Sequence, residues 1–332
     1  MKKPLRKILG AAIAVTCAVA LAGCGNGGSS TPTSSGSAAE TYSIGIIQWA
    51  DHTSLDAATA GFIRALEDSG LDVKVDQQNA HGDPATATNI VNTFKTNKVD
   101  LVLANATPAA QSAAQALSDI PVLFTSVTDP VSAQLVASNE APGGNVTGTT
   151  DMNPVAAQMA LIKEIVPNAQ TIGIVYSSGE VNSEVQVALA KEAATAMGMQ
   201  VVEKTVTNTN EVGQAVQALG AIDAIYVPTD NNVVSSLGNV IQFAEGAKIP
   251  VVVGETDSVR NGGIVTLGLD YEKLGYQTGE MAVRILKDGA DPASMPVEFQ
   301  KEAVLMINKS AAARMGVELP DSLVSRADEV ID

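Results

Sequence analysis

Cysteine, histidine, aromatic residues and positive charge are all scarce in this chain of 332 residues, and each scarcity excludes something. The only cysteines are Cys17 and Cys24, both near the N-terminus, so the body has no disulfide framework and no thiol nucleophile. The only histidines, His52 and His81, have no cysteine or spaced carboxylate beside them. A metal site is therefore not expected, and cleft-rim or surface roles are their default. Lysine and arginine total 20 against 36 acids, a formal charge of −16, which argues against a nucleic-acid partner because phosphate binding depends on cationic side chains. No Gly-rich phosphate loop follows a strand, and no GxSxG elbow is present, so neither a nucleotide cofactor nor catalysis is indicated. No cofactor is expected.

An apolar run of membrane-spanning length is also missing. The segment ILGAAIAVTCAVALAG is too short and too small-sided to span, and it follows the cations Lys2, Lys3, Arg6 and Lys7. Residues 1–23 are read as a secretory signal peptide. It ends in Leu21-Ala22-Gly23-Cys24, which resembles the bacterial lipobox, making Cys24 the candidate lipidation site, a palmitate-type anchor to the outer face of the cell membrane. Residues 24–40, GNGGSSTPTSSGSAAE and its neighbours, lack the apolar content of a core and suit a flexible tether.

What is abundant, from Thr41 onward, is alternation. Short β-branched runs (YSIGIIQW, LDVKVDQ, VDLVLAN, IPVLFTS, TIGIVYSS, MQVVEKTV, IDAIYVP, IPVVVG, GIVTLGL) are separated by amphipathic stretches with glycine at their ends, the pattern of parallel strands joined by helices. The pattern also repeats. Ile44-Gly45-Ile46 returns as Ile172-Gly173-Ile174, Asp100 as Asp223, and Ile120-Pro121-Val122 as Ile249-Pro250-Val251, in the same order and at nearly one spacing. So long a period marks a domain duplication. The expected fold is α/β, with two doubly wound Rossmann-like lobes and a ligand cleft between the carboxyl ends of their strands. Residues 41–149 with about 271–296 form the first lobe, and 150–270 with about 297–332 the second. The glycines of PGGNVTG, Gly143 to Gly148, read as hinge material between them.

Equivalent strand ends differ in chemistry. The first lobe offers Ala106, then Thr107 as a helix N-cap with Pro108 at the first helical position, and the hydroxyls of Ser126 and Thr128, all suited to a carboxylate. The second lobe has Asp230 where the first has Thr107, and Glu255 where the first has Ser126. Donors in one lobe and carboxylates in the other suit an α-amino acid. Trp49 at the mouth of the first strand is a candidate to stack on an apolar or aromatic side chain, or else closes the core edge. Ser177 and Ser178, with Gly179, occupy the matching loop of the second lobe, where small residues allow close approach. Asn79, matched by Asn208, can reach a ligand or hold a turn.

The phrases ATPAAQ, VLFTSVTDPV, PGGNVTG, IDAIYVPTDN and GLDYEKLGYQTG, together with the lipobox and tether, resemble the substrate-binding lipoproteins of ABC importers, within the family that includes tryptophan and other aromatic amino acid binding proteins. The likeness runs from about Thr41 to about Pro320. It implies a periplasmic-binding-protein type I-like fold, a monomer that delivers an aromatic or large apolar L-amino acid to membrane permease subunits, and a place for Asp270 at the ammonium. A sugar or nucleoside in the same architecture, or a secreted α/β hydrolase, remains the alternative.

Overall fold

The structure, a computed structural model, describes residues 41–332. The signal peptide, the tether and Cys24 lie outside the described residues.

The first sheet grows outward from β1 (Thr41–Gln48). The chain leaves through α1 (Thr53–Asp68) to β2 (Asp72–Asn79) on one side. It returns through α2 (Pro84–Asn97) to β3 (Leu101–Asn105) on the other, then continues through α3 (Thr107–Ala116) to β4 (Val122–Val127) and β5 (Val146–Thr150). All pairings in it are parallel, with Ile44 opposite Leu101 and Val102 opposite Val122. The second lobe repeats the path: α4 (Val155–Ile165), β6 (Thr171–Ser177), α5 (Val181–Ala196), β7 (Gln200–Val206), α6 (Val212–Gln217), β8 (Ala224–Val227), α7 (Asn231–Ser235), α8 (Leu237–Ala247), β9 (Val251–Val253), α9 (Thr256–Arg260) and β10 (Val265–Gly268). The chain then returns to the first lobe as α10 (Tyr271–Asp288) and β11 (Glu298–Phe299). It ends in the second as β12 (Val304–Asn308), α11 (Lys309–Arg314), α12 (Asp321–Ser325) and β13 (Glu329–Ile331). The sheet orders are β11-β5-β4-β3-β1-β2 and β13-β12-β10-β9-β8-β6-β7, with β12 antiparallel to β10.

The period-two alternation of strands sorts the core of the first lobe. Ile44, Ile46, Leu101, Leu103 and Leu123 turn one way, onto Phe62 and Leu66 of α1 and Met281 and Ile285 of α10. Ile47, Val102, Ala104, Val122 and Phe124 turn the other way, onto α2 and α3. Gly45 shares this second face, and a Cβ there would meet the ring of Phe94 at 2.8 Å. Gly173, its counterpart in the second lobe, makes the same room for Ile222 and Leu219. The repeated Ile-Gly-Ile is thus a packing device: two large residues for one face of the sheet and a notch in the other.

Three expectations are corrected. PGGNVTG is not a free hinge, because Gly148 sits within β5, so close beneath Phe124 that a Cβ would lie 2.0 Å from its carbonyl oxygen. The last crossing between lobes falls after β11, whose Glu298 and Phe299 pair with Thr149 and Thr150, and not at residues 296–297. Thr107 is the first residue of α3 and not its cap. Ala106 caps that helix with φ 86° and no side-chain acceptor.

Candidate functional site

In both sheets the chain leaves the first strand of the lobe, β1 or β6, in one direction and returns on its other side. The crevice that opens there, beyond the carboxyl ends of the strands, is where open α/β sheets take ligands. The two crevices face each other across a narrow, part-open cavity whose free volume, about 10 Å³, is that of a closed cleft. The first lobe lines it with His52, Ser54 and Leu55 after β1 and with Ser126 at the end of β4. The second contributes Asn182, Thr229, Asn231, Val234 and Glu255, while Asp151 and Tyr271 come from two of the crossings between lobes.

The lobes are held shut around it. Four hydrogen bonds cross the cleft: Asn261 Nδ2 to Thr53 Oγ1 at 3.0 Å, Ser235 Oγ to the Asp51 carbonyl at 3.1 Å, Gln186 Nε2 to Thr128 Oγ1 at 3.3 Å, and His52 Nε2 to Asn231 Oδ1 at 3.4 Å.

Donors gather on the first-lobe side. Helix α1 begins at the cavity, and its cap, His52, supplies no side-chain acceptor, so the first-turn N–H groups keep their hydrogen-bonding capacity. The hydroxyls of Ser54 and Ser126 are buried and unpartnered. Ser126 is held at φ 57°, a left-handed conformation that is costly for serine and turns this strand end into the cleft.

Acids gather opposite. Glu255 caps α9, accepting from the N–H groups of Asp257 and Ser258 at 2.6 and 2.9 Å, and burial pushes its carboxyl up to about 7. The Ser54 hydroxyl faces this carboxyl without completing a hydrogen bond. Asp151 accepts from Thr128 Oγ1 at 3.0 Å and from the Tyr271 hydroxyl, and burial raises its carboxyl too. Beneath the second-lobe wall, burial and then the neighbouring Asp230 charge push Glu180 up to about 8. Two buried carboxyls stand at the wall with no Lys or Arg lining the cavity, so a cationic group entering there would be drawn to both.

Of the residues expected from sequence, Ser126 and Glu255 line the cavity. Thr128 stands behind it as the donor to Asp151. Thr107 is buried with its hydroxyl unpartnered, yet it and Ala106 lie outside the lining. Trp49 packs into the first-lobe core, 7 % exposed. Asn79 holds the rim, donating to Asp51 and accepting from the His81 N–H. Ser177 and Asp230 turn to each other: Asp230 takes the Ser177 N–H and hydroxyl, the Ser183 hydroxyl and the Val233 N–H, leaving it no face toward a ligand. Ser178 is exposed, and Asp270 caps α10 beside Lys273 in a groove away from the cavity.

Sequence reasoning gave His52 only a cleft-rim or surface role and passed over Ser54, Asp151, Asn182, Asn231 and Tyr271. Two of these miss by one position. Asp230 and Asp270 direct their carboxylates back onto their own helices, and the following residues, Asn231 and Tyr271, are the ones presented to the cleft.

The profile of the ABC transporter substrate-binding protein family matches residues 43–331. The chain belongs to that family. This substrate-binding protein is 43% identical over 280 residues to a tyrosine-binding protein of Clostridioides difficile, covering 83% of this chain and 81% of the relative. It is similar to the crystal structure of an ABC domain in complex with L-Trp from Streptococcus pneumonia, with 38% identity, TM-score 0.85, and coverage of 88% of this chain and 100% of the other. It is also similar to the ligand-free, open structure of a Clostridium difficile substrate-binding protein with adhesive properties, with 42% identity, TM-score 0.66, and coverage of 88% and 99%. Among the described residues no helix is long and apolar enough to cross a membrane.

Proposed function

We propose that this substrate-binding protein takes an aromatic L-amino acid into the interlobe cavity, closes on it, and presents it to the permease of an ABC importer. It does so as a monomer held to the extracytoplasmic face of the membrane by lipid on Cys24. The observation that carries this is the polarity of the cavity: α1 first-turn amides with the Ser54 and Ser126 hydroxyls on one side, and Asp151 and Glu255 on the other. An α-carboxylate suits the first set and an α-ammonium the second. A sugar or nucleoside brings no ammonium to meet the buried carboxyls.

Relatives support the aromatic side chain, since one is a tyrosine-binding protein and another was crystallised with L-Trp. Closure is supported by a contrast between the two solved relatives. The overall shape is nearer to the L-Trp complex than to the ligand-free open structure, although identity is slightly higher to the latter, so lobe disposition and not sequence separates them.

Calorimetry with L-tyrosine, L-tryptophan, L-phenylalanine and L-leucine against ribose and a nucleoside tests the proposal. Heat from the aromatic amino acids is expected; heat from ribose or the nucleoside alone refutes it.

A further inference from the structure

The orientation of the His52 ring is set by a chain of partners that begins at Glu180. The Asn231 backbone N–H, which can only donate, points at Glu180 Oε2 at 3.4 Å, and Asn182 Nδ2 donates to the same oxygen at 3.1 Å. Oε2 accepts from both, and the end of the Asn231 amide placed 2.5 Å from it is the NH₂. The other end, Oδ1, then faces across the cleft to His52 Nε2 at 3.4 Å. A carbonyl oxygen needs a donor, so the imidazole carries its hydrogen on Nε2. Nδ1 is left bare, buried and without a partner, on a residue that lines the cavity beside Ser54 and Leu55.

Burial holds the imidazole at about 4, so it stays neutral at physiological pH. A buried bare nitrogen costs free energy until something donates to it. Of the groups an amino acid offers, the carboxylate has no hydrogen and the ammonium is drawn to Asp151 and Glu255. The side chain is what remains.

We infer that His52 is a specificity residue: its Nδ1 accepts a hydrogen bond from a donor on the ligand's ring, a phenol O–H or an indole N–H, and so selects such side chains over phenylalanine. Asn231 and Glu180 are positioning residues that set its tautomer. The inference rests on an aromatic amino acid occupying this cavity.

Calorimetry on the intact folded protein tests it. Wild type should bind L-tyrosine or L-tryptophan about tenfold or more tighter than L-phenylalanine, because the apolar ring leaves Nδ1 unpaired. In His52→Leu that ratio should collapse toward one, and in His52→Asn, whose side chain can return an acceptor near the same place, it should partly recover. A wild type that binds all three equally overturns the specificity role while leaving the proposed function intact. So does a His52→Leu variant that weakens all three by one factor, the outcome expected if Nδ1 serves the ammonium or the fold. A wild type that binds none of them overturns the proposed function itself. A second measurement is independent of ligand: with only two histidines in the chain, long-range ¹H–¹⁵N spectra assign both rings. His52 should show the Nε2–H tautomer, unprotonated down to about pH 5, and an Nδ1–H tautomer would overturn the inference.

Discussion

Titrating Glu255 should make ligand affinity and protein stability move in opposite directions. Its carboxyl is raised from 4.5 to about 7 by burial, so between those values the folded protein holds a proton that the unfolded chain has released. The contribution of Glu255 to stability is then greatest below pH 4.5 and falls as pH rises to 7, by about 3 kcal/mol in all for a shift of this size, while Glu180, raised to about 8, adds a decline of the same sign that continues to that pH. An ammonium ligand reverses the sense, since it needs the ionised form. At pH 5 only about one molecule in a hundred would carry that charge, so affinity for an L-amino acid should rise about tenfold per pH unit from pH 5 to pH 7 and then level off. His52, neutral across this range, adds nothing to the slope, and Asp151, also raised by burial, adds to it. Isothermal titration calorimetry at half-unit pH steps, in two buffers of different ionisation heat, should report proton release on binding below pH 7. Glu255→Gln should bind weakly, with a shallower rise, and should show a shallower decline in stability in urea titrations, the remainder belonging to Glu180 and Asp151. A flat wild-type profile, or an unchanged slope in Glu255→Gln, would refute the pairing of this carboxyl with an ammonium.

Gly275→Ala should destabilise the protein by about 3 kcal/mol despite a better helix propensity, because the added methyl would lie 1.8 Å from the Ala58 carbonyl oxygen where α10 crosses α1; urea denaturation reads it, and a stabilised variant would contradict the packing. Asp230→Ala should cost stability, about 3 kcal/mol by the same assay, because four donors lose their acceptor in a fully buried site; ligand affinity measured on the folded fraction should change less than in Glu255→Gln. Cys24→Ser should abolish lipid labelling and release the protein from the membrane fraction, and unchanged retention would exclude the lipid anchor.

Much of the fold was legible because its strands are written in β-branched runs of the right length and its duplication repeats notch residues as well as core residues. What escaped has a physical reason. The segment PGGNVTG reads as hinge, yet its last three residues open β5, which is buried because its threonines find partners indoors, Thr147 with the Met295 carbonyl and Thr149 with Thr278 and Thr125. Strand β11 has only two residues, too few for any periodicity. At the site, matching strand ends by their place in the repeat found Ser126 and Glu255, which do meet at one cavity. It favoured Asp230 and Asp270 for their charge, whereas a carboxylate at a helix start satisfies its own backbone first. Asp151 and Tyr271 were hidden differently, since each lies where the chain passes between lobes and has no counterpart in a duplicated pattern.

Helix α10 completes the first lobe only after the whole run from α4 to β10 has been made. Its glycines Gly275 and Gly279 lie so close to α1 that added methyls would strike Ala58, Phe62 or Ala65. Until residue 288 has emerged, the α1 face that receives α10, with Ala58, Gly61 and Ala65, lacks the helix that covers it. The first-begun lobe is therefore completed only after most of the second has been made, and the second closes last, with β12 and β13. A chain delivered end-first must carry an unfinished domain while it builds most of a second.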